Sequence, residues 1–247
     1  MDMQHRVARF MHVMILSVVA TAAGPATALA ADTAAAQVDT RDQRVLSTRT
    51  FLNAHPDFKH RTEGWTAYEA GDHDRAMTEF QRAALYADKL LQAMVAELLW
   101  QGPGAEADRP AAYAWVDITA ERGYPQFVRL REQYWRQLDT LERARALEAG
   151  RALLAEYADA AAKPRMAHFM KKAKQRAQRY SPSVSAPKGV MVAGNNGTMT
   201  SIPAHRFYAS KFWDPVQYQA WQDSLWPPSK EGQVDVGNVQ QVRAPAD

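Results

Sequence analysis

The sequence predicts a mainly α-helical protein, with a helical-repeat solenoid over residues 41–180 and a small α+β module over residues 188–247. Three observations lead to this prediction. Small residues recur at a constant spacing in the first half of the chain, and hydrophobic residues there follow a helical period. Beyond a Pro/Ser-rich linker at residues 181–187, the hydrophobic period becomes that of a β-strand.

The first thirty residues have the pattern of a secretory signal peptide. A basic start precedes an apolar stretch over residues 11–23, and Ala28 and Ala30 form a small-x-small cleavage motif. The apolar stretch is shorter than the roughly 20 residues that a membrane-spanning helix needs. We therefore expect cleavage after Ala30 of a signal peptide over residues 1–30, then a linker over residues 31–40. The mature protein is expected in the periplasm or, alternatively, secreted, and not as an integral membrane protein.

Composition and motifs favour no catalytic chemistry. The chain has no cysteine, which excludes disulfides, thiolate metal sites and cysteine nucleophiles. Motifs of serine hydrolases, zinc proteases and phosphate-binding loops are absent from the sequence. His55 and His60 flank Asp57 in "HPDFKH", but this segment contains proline and lacks a third ligand, so we interpret it as a solvated turn. The sequence thus predicts no catalytic residue, no metal and no cofactor.

The segments "GDHDRAMTEFQRAALYA" and "ADRPAAYAWVDITAERG" contain small residues at matching positions. Small residues at these points allow neighbouring helices to approach closely, while Phe80 and Trp115 fill the space beside them. The matching positions are 36 residues apart, and they are Ala76 and Ala112, Ala84 and Ala120, and Ala87 and Gly123. The spacing indicates two stacked helical hairpins, with an insertion in the loop "GPGAEADRP" of the second.

These units resemble a known repeat family. The first, "GWTAYEAGDHDRAMTEFQRAA", resembles a tetratricopeptide repeat, and the second, over residues 93–123, resembles the Sel-one-like branch of that superfamily. The second unit departs from the usual pattern at Thr119, and the unit that follows it is degenerate. The resemblance implies an α-helical solenoid used for protein interaction, with no catalytic residues to carry over. The segment "DQRVLSTRTFLNA" at residues 42–54, which Pro56 is expected to stop as a helix, and helices within residues 125–160 are expected to cap its ends.

Positive charge is concentrated in one part of the chain. Residues 160–213 contain 10 Lys and Arg and no acidic residue, whereas residues 31–159 have a net charge of −5. Within the basic part, "KPRMAHFMKKAKQRAQRY" predicts a helix with one apolar face. The cations off that face are Arg165, Lys171, Lys172, Lys174, Arg176 and Arg179.

Two interpretations of this basic helix remain open. The helix is either a terminal element of the solenoid with a solvated basic face, or a docking surface for an anionic partner. Such a partner would be lipid headgroups, lipopolysaccharide or an acidic protein. Nucleic acid is disfavoured as a partner by the export signal.

The C-terminal module is predicted to contain a β-hairpin, a helix and a further strand. "GVMVA" and "TMTSI" flank the turn sequence "GNNG", and "QVDVGNV" is a candidate third strand. Asp214 is expected to cap a short helix that begins at Pro215, with Gln217 completing a capping box and Tyr218, Trp221 and Leu225 on one face.

Aromatic residues are dense in this module, and they have two interpretations. They are Phe207, Tyr208, Phe212, Trp213, Tyr218, Trp221 and Trp226. A small module needs such side chains for its core and for contact with the solenoid. Alternatively, flat rings could form a platform that binds a glycan or a peptide. Exposure of the rings would decide between the two.

Two functions follow from these features. The first is a non-enzymatic periplasmic interaction or scaffold protein that binds a protein partner through its helical-repeat surface. The alternative is an envelope glycan-binding or glycan-processing accessory protein that uses the C-terminal aromatic module. Glycan hydrolysis needs two facing carboxylates. The module offers few acidic residues, and Asp214 is already assigned as a cap.

Overall fold

The computed structural model describes residues 40–102, 107–179, 189–193 and 199–225. As predicted, the protein is mainly α-helical, with consecutive packed helices, a two-stranded hairpin and short C-terminal helices. Within the described residues, the α-helices before the hairpin are α1 Thr40–Leu46, α2 Arg49–Ala54, α3 Pro56–Glu69, α4 His73–Ala84, α5 Lys89–Gln101, α6 Arg109–Thr119, α7 Pro125–Gln137, α8 Thr140–Tyr157 and α9 Asp159–Arg179. They are followed by β1 Gly189–Ala193, β2 Met199–Pro203, α10 Ala204–Phe207, α11 Ser210–Trp213 and α12 Pro215–Ser224.

Some sequence predictions lie outside the described residues and stay predictions. They concern the signal peptide over residues 1–30, the linkers over residues 31–39 and 181–187, the turn at residues 194–197 and the third strand at residues 233–239. Among the helices that the structure describes, none is both long and apolar enough to cross a membrane.

Helices α3 to α6 form two consecutive packed pairs, α3 with α4 and α5 with α6. The predicted spacing of 36 residues is also visible in their local geometry. Asp72 and Asp108 are the N-caps of α4 and α6, and each side chain accepts a hydrogen bond from the backbone N–H three residues later. Gly64 allows α3 to approach α4, because a Cβ atom there would lie 2.5 Å from the Phe80 ring.

Five of the six small residues of the repeat pattern are buried, as expected for close helix contacts, whereas Gly123 is exposed. Ala76, Ala84 and Ala112 are fully buried, and Ala87 and Ala120 are at most 4% exposed. Apart from Ala87, these alanines lie in hydrophobic clusters with large side chains such as Phe80, Trp115 and Phe127. The core therefore depends on small and large residues placed alternately along the helices.

A residue with left-handed backbone follows the second helix of each pair, within the turn that leads to the next helix. Ala87 has φ of 66°, and Gly123, its counterpart in the second unit, has φ of 72°. Glycine adopts this conformation without steric cost, whereas alanine does so at a cost of about 1 kcal/mol. Ala87 is therefore a strained member of an otherwise equivalent pair.

We predict opposite stability changes for two Gly→Ala substitutions. Gly123→Ala should lower the free energy of unfolding by about 1 kcal/mol, because φ is positive there although no atom crowds the added Cβ. Gly150→Ala should raise it by about 0.5–1 kcal/mol, because Gly150 lies inside α8 with open space around its Cβ position. Urea denaturation of both variants tests the pair, and changes of the same sign would contradict it.

The helices after the second pair extend the array. A capping box of Asp139 and Glu142 begins α8, which packs against α6 and contributes Leu153 and Tyr157 to the central cluster. The prediction that this weakly patterned region is helical is confirmed. The helix α9 then follows with a single non-helical residue, Ala158, between the two.

The C-terminal part has the predicted hairpin. Strands β1 and β2 pair antiparallel, with Gly189 opposite Pro203 and Ala193 opposite Met199. Asp214 caps α12 as expected, since its side chain accepts hydrogen bonds from the N–H groups of Val216 and Gln217.

Described residues of the two ends of the chain share one hydrophobic cluster. Phe51 and Phe58 from α2 and α3 lie in it with Ile202, Phe212 and Tyr218 from the C-terminal part. Met166 and Met170 from α9 complete it. The hairpin and short helices therefore pack against the first helices of the array and against the basic helix.

Candidate functional site

The basic helix α9 has a buried face and an exposed cationic face. Met166 and Met170 are 1% exposed and pack into the cluster shared by both ends of the chain, which fixes the rotation of the helix. Outside the buried face, the same part of the helix carries four exposed cations, which we call the basic face. They are Lys171, Lys172, Lys174 and Arg176.

The basic face has no acidic neighbour in ion-pair distance within the described part of the chain. Other cations of the acid-free segment do find partners. Lys163 pairs with Asp159 at 2.7 Å, and Lys211 pairs with Asp42 at 2.5 Å. Uncompensated positive charge therefore collects along residues 171–176 of α9.

The sequence groups Arg165 and Arg179 with these four cations, but neither is assigned to the basic face. Arg165 is partly buried and donates hydrogen bonds to Leu85 O at 2.6 Å and to Glu156 O at 3.1 Å, so its guanidinium stabilises the ends of α4 and α8. The backbone of Arg179 ends α9, but its side chain lies outside the described residues.

An open groove of about 350 Å³ lies beside the basic face. Lys171, Lys174 and His168 line it from α9. Trp213 at the end of α11, with Asp214 and Pro215 at the start of α12, lines the other side. One oxygen of the Asp214 carboxylate, Oδ1, accepts hydrogen bonds from the backbone N–H groups that it caps. The groove thus offers two ammonium groups and an imidazole to an anionic ligand, beside apolar surface.

Ionic contacts hold α12 near α9. The guanidinium of Arg122, in the turn before α7, donates to Asp159 at 2.7 Å and to Asp223 at 3.1 Å. These bonds join that turn to the start of α9 and to α12. A second groove, of about 530 Å³ near the start of α6, is lined by charges of both signs and has no comparable bias.

The segment "HPDFKH" is not the solvated turn that the sequence suggested. Pro56 is the first residue of α3, and Asp57 and His55 are fully buried. Proline is compatible with the first helical position because the N–H there has no intrahelical partner. The two histidines and Asp57 do not converge, since His60 faces Glu79 on α4 instead.

A buried polar cluster surrounds Asp57, and sequence reasoning missed it. Asp57 Oδ2 accepts hydrogen bonds from Tyr218 Oη at 2.5 Å and from Gln222 Nε2 at 2.8 Å. Next to it, Arg61 donates Nε and Nη2 to Asp88 Oδ2 at 2.8 and 2.6 Å. Burial raises the pKa of Asp57 and of Asp88, although Arg61 and the hydrogen bonds favour their charged forms.

His55 connects the same two ends of the chain. Its Nδ1 lies 2.9 Å from Phe51 O and its Nε2 lies 2.7 Å from Phe212 O. Burial lowers the pKa of His55 to about 4, an effect larger than that of the two carbonyls, which raise it. The neutral ring can donate to only one of these carbonyls. Such perturbed groups are typical of active sites, but a ligand cannot reach residues that are 0–6% exposed.

Most of the C-terminal aromatics are core residues. Phe207, Phe212, Trp213 and Tyr218 are at most 4% exposed, whereas Tyr208 is 41% exposed. Trp221 is partly buried against the same cluster, and Trp226 lies outside the described residues. The burial supports the interpretation of these rings as core and leaves little ring surface for stacking on a sugar.

Comparison with models of protein families, with curated proteins and with solved structures found no match to the chain. The function is therefore inferred from the geometry and charge of the protein itself.

Proposed function

We propose that this chain is a non-enzymatic, helical-repeat interaction protein that binds an acidic segment of a partner protein at its basic face. The observation that carries the proposal is the set of exposed cations on α9, which lack an ion-pair partner among the described residues and border an open groove. Acidic side chains would gain ion pairs at little desolvation cost.

The groove favours a protein segment over a membrane surface as the partner. An extended peptide could enter it and contact Pro215 while its acidic side chains reach Lys171 and Lys174. A lipid surface is flat and would contact exposed cations without filling the groove. The two partners therefore differ in the surface that they would cover.

The tetratricopeptide or Sel-one-like assignment is part of this proposal. It is supported by two packed helix pairs whose N-caps, buried alanines and left-handed ends recur 36 residues apart. Such pairs act as interaction surfaces in repeat proteins generally. Periplasmic location follows from the predicted signal peptide and belongs to the same proposal. The alternative of a glycan accessory protein is weakened because its aromatic residues are mostly buried.

A peptide-binding experiment tests the proposal. Fluorescence anisotropy with a labelled glutamate-rich peptide should show binding that weakens with added salt, whereas a lysine-rich peptide should not bind. Combining Lys171→Ala, Lys172→Ala and Lys174→Ala should weaken binding about tenfold to hundredfold, at about 0.5–1 kcal/mol for each ion pair.

A control variant removes the same charge elsewhere. Arg75→Ala, Arg129→Ala and Arg136→Ala together remove three exposed cations from α4 and α7, which make no substantial packing contact with α9, and binding should be nearly unchanged. Equal losses in the two triple variants would reduce the effect to net charge and contradict the proposal. Binding to vesicles of anionic lipid without binding to the acidic peptide would identify a membrane surface instead of a protein.

A further inference from the structure

Three metal-ligating side chains meet between the first two helices of the repeat array. His60 and Glu63 lie three residues apart on α3, so their side chains share one face of the helix. Glu79 lies on α4, which packs against α3. We call His60, Glu63 and Glu79 the interhelical triad.

The ligand atoms of the triad are close enough to share one ion. His60 Nδ1 lies 2.7 Å from Glu79 Oε2 and 3.4 Å from Glu63 Oε2, and all three ligand atoms lie within 4.8 Å of one another. Ligands of a tetrahedral zinc ion, bound at about 2.0–2.2 Å, are about 3.3 Å apart. Small side-chain rotations would therefore produce coordination geometry.

The electrostatics of the triad also favour a cation. Arg82 Nη1 pairs with Glu79 Oε1 at 2.7 Å, which leaves Oε2 directed at His60. Burial alone would raise the pKa of Glu79, but the hydrogen bond and charge of His60, together with Arg82, lower it. A metal ion would bind the neutral imidazole, and Glu63 and Glu79 would then bring two formal negative charges against the one positive charge of Arg82.

Solvent can reach the interhelical triad, and a neighbouring side chain orients one of its ligands. The Glu79 side chain is 8% exposed, that of His60 19% and that of Glu63 39%, so the triad is anchored on one side and open to solvent on the other. Arg82 would hold the second carboxylate oxygen of Glu79 and thereby orient the first, as outer partners commonly do for metal ligands.

We propose that the interhelical triad binds a divalent transition-metal ion of the zinc class, with water completing the coordination. The imidazole nitrogen favours such an ion over Mg²⁺ or Ca²⁺, which prefer oxygen ligands. Binding would join α3 to α4 within the first helix pair. It is independent of peptide binding at α9, because the triad and the basic face share no residue.

Isothermal titration of the metal-free full-length chain with Zn²⁺ tests this site. One ion should bind per chain, and either His60→Ala or Glu63→Gln should weaken binding at least about tenfold. His205→Ala removes an exposed imidazole on α10 and should leave the affinity unchanged. Affinity should fall at acidic pH because protons compete for the imidazole.

Thermal melting separates a metal effect from a folding effect. Zn²⁺ should raise the melting temperature of the wild type and of His205→Ala, but not that of His60→Ala, because a ligand stabilises only the state that binds it. Circular dichroism of the metal-free variants checks that they fold. Absence of Zn²⁺ binding to the wild type, or undiminished binding by folded His60→Ala, would overturn the proposal and leave an ordinary His–Glu ion pair.

Discussion

Replacing Arg61 with Met is expected to lower the free energy of unfolding by about 3–5 kcal/mol, the usual cost of breaking a buried ion pair by removing one partner. Arg61 is 5% exposed and Asp88 is 1% exposed, so water cannot replace the lost cation. The substitution would leave Asp88 and the nearby Asp57 without their compensating charge. Chemical denaturation at neutral pH measures the loss.

Two comparisons make this result specific to the buried charge. Arg75→Met removes an exposed arginine from α4 and should change stability by at most about 0.5 kcal/mol. Adding Asp88→Asn to Arg61→Met should recover part of the loss, since asparagine is neutral and can still cap α5. Equal stabilities of the two single arginine variants would show that the buried pair contributes nothing.

The deficit of Arg61→Met should also depend on pH. Burial already raises the folded-state pKa of Asp57 and Asp88 above their unfolded values, so the folded state binds protons more tightly than the unfolded state. Without Arg61 both pKa values should rise further. Stability of the variant relative to wild type should therefore improve as the pH falls and these carboxyls become neutral.

Ala120→Trp is expected to destabilise the protein by about 3 kcal/mol, at the upper end of the usual range for overpacking. Ala120 is 4% exposed and packs with Ala93 and Phe127, which are themselves buried, so a large ring has no space. Lys172→Ala, at an exposed position of the basic face, should be nearly neutral. Equal denaturation midpoints for the two variants would contradict the close packing described for the second helix pair.

The sequence predicted those parts of the fold that depend on near neighbours. The alternation of small and large residues identified the helix pairs, and Asp214 followed by Pro215 identified the start of α12. Each of these signals acts within one or two helical turns, where the physics is local. The interpretation of the aromatics as core was also correct for the buried rings, because a small module has few other residues to bury.

The buried polar cluster could not be found in this way. Asp57 and Tyr218 are separated by 161 positions, and nothing in "HPDFKH" indicates that a distant segment will cover it. Pro56 was taken as a helix stop, although proline is equally compatible with the first turn of a helix. The interhelical triad was missed for a related reason, since Glu79 comes from a different helix than His60.

The sharing of one cluster by both ends of the chain has a consequence for synthesis. Phe51 comes early from the ribosome, yet Phe212, with which its ring makes an edge contact at 5.6 Å, follows 161 residues later. At a synthesis rate of about 5–20 residues per second, roughly 10–30 s pass between the synthesis of Phe51 and that of Phe212, which packs on it. Until then the helix pairs can form from local contacts, while the N-terminal helices expose apolar rings that invite aggregation. We therefore expect the chain to be prone to aggregation during synthesis until α12 has been made.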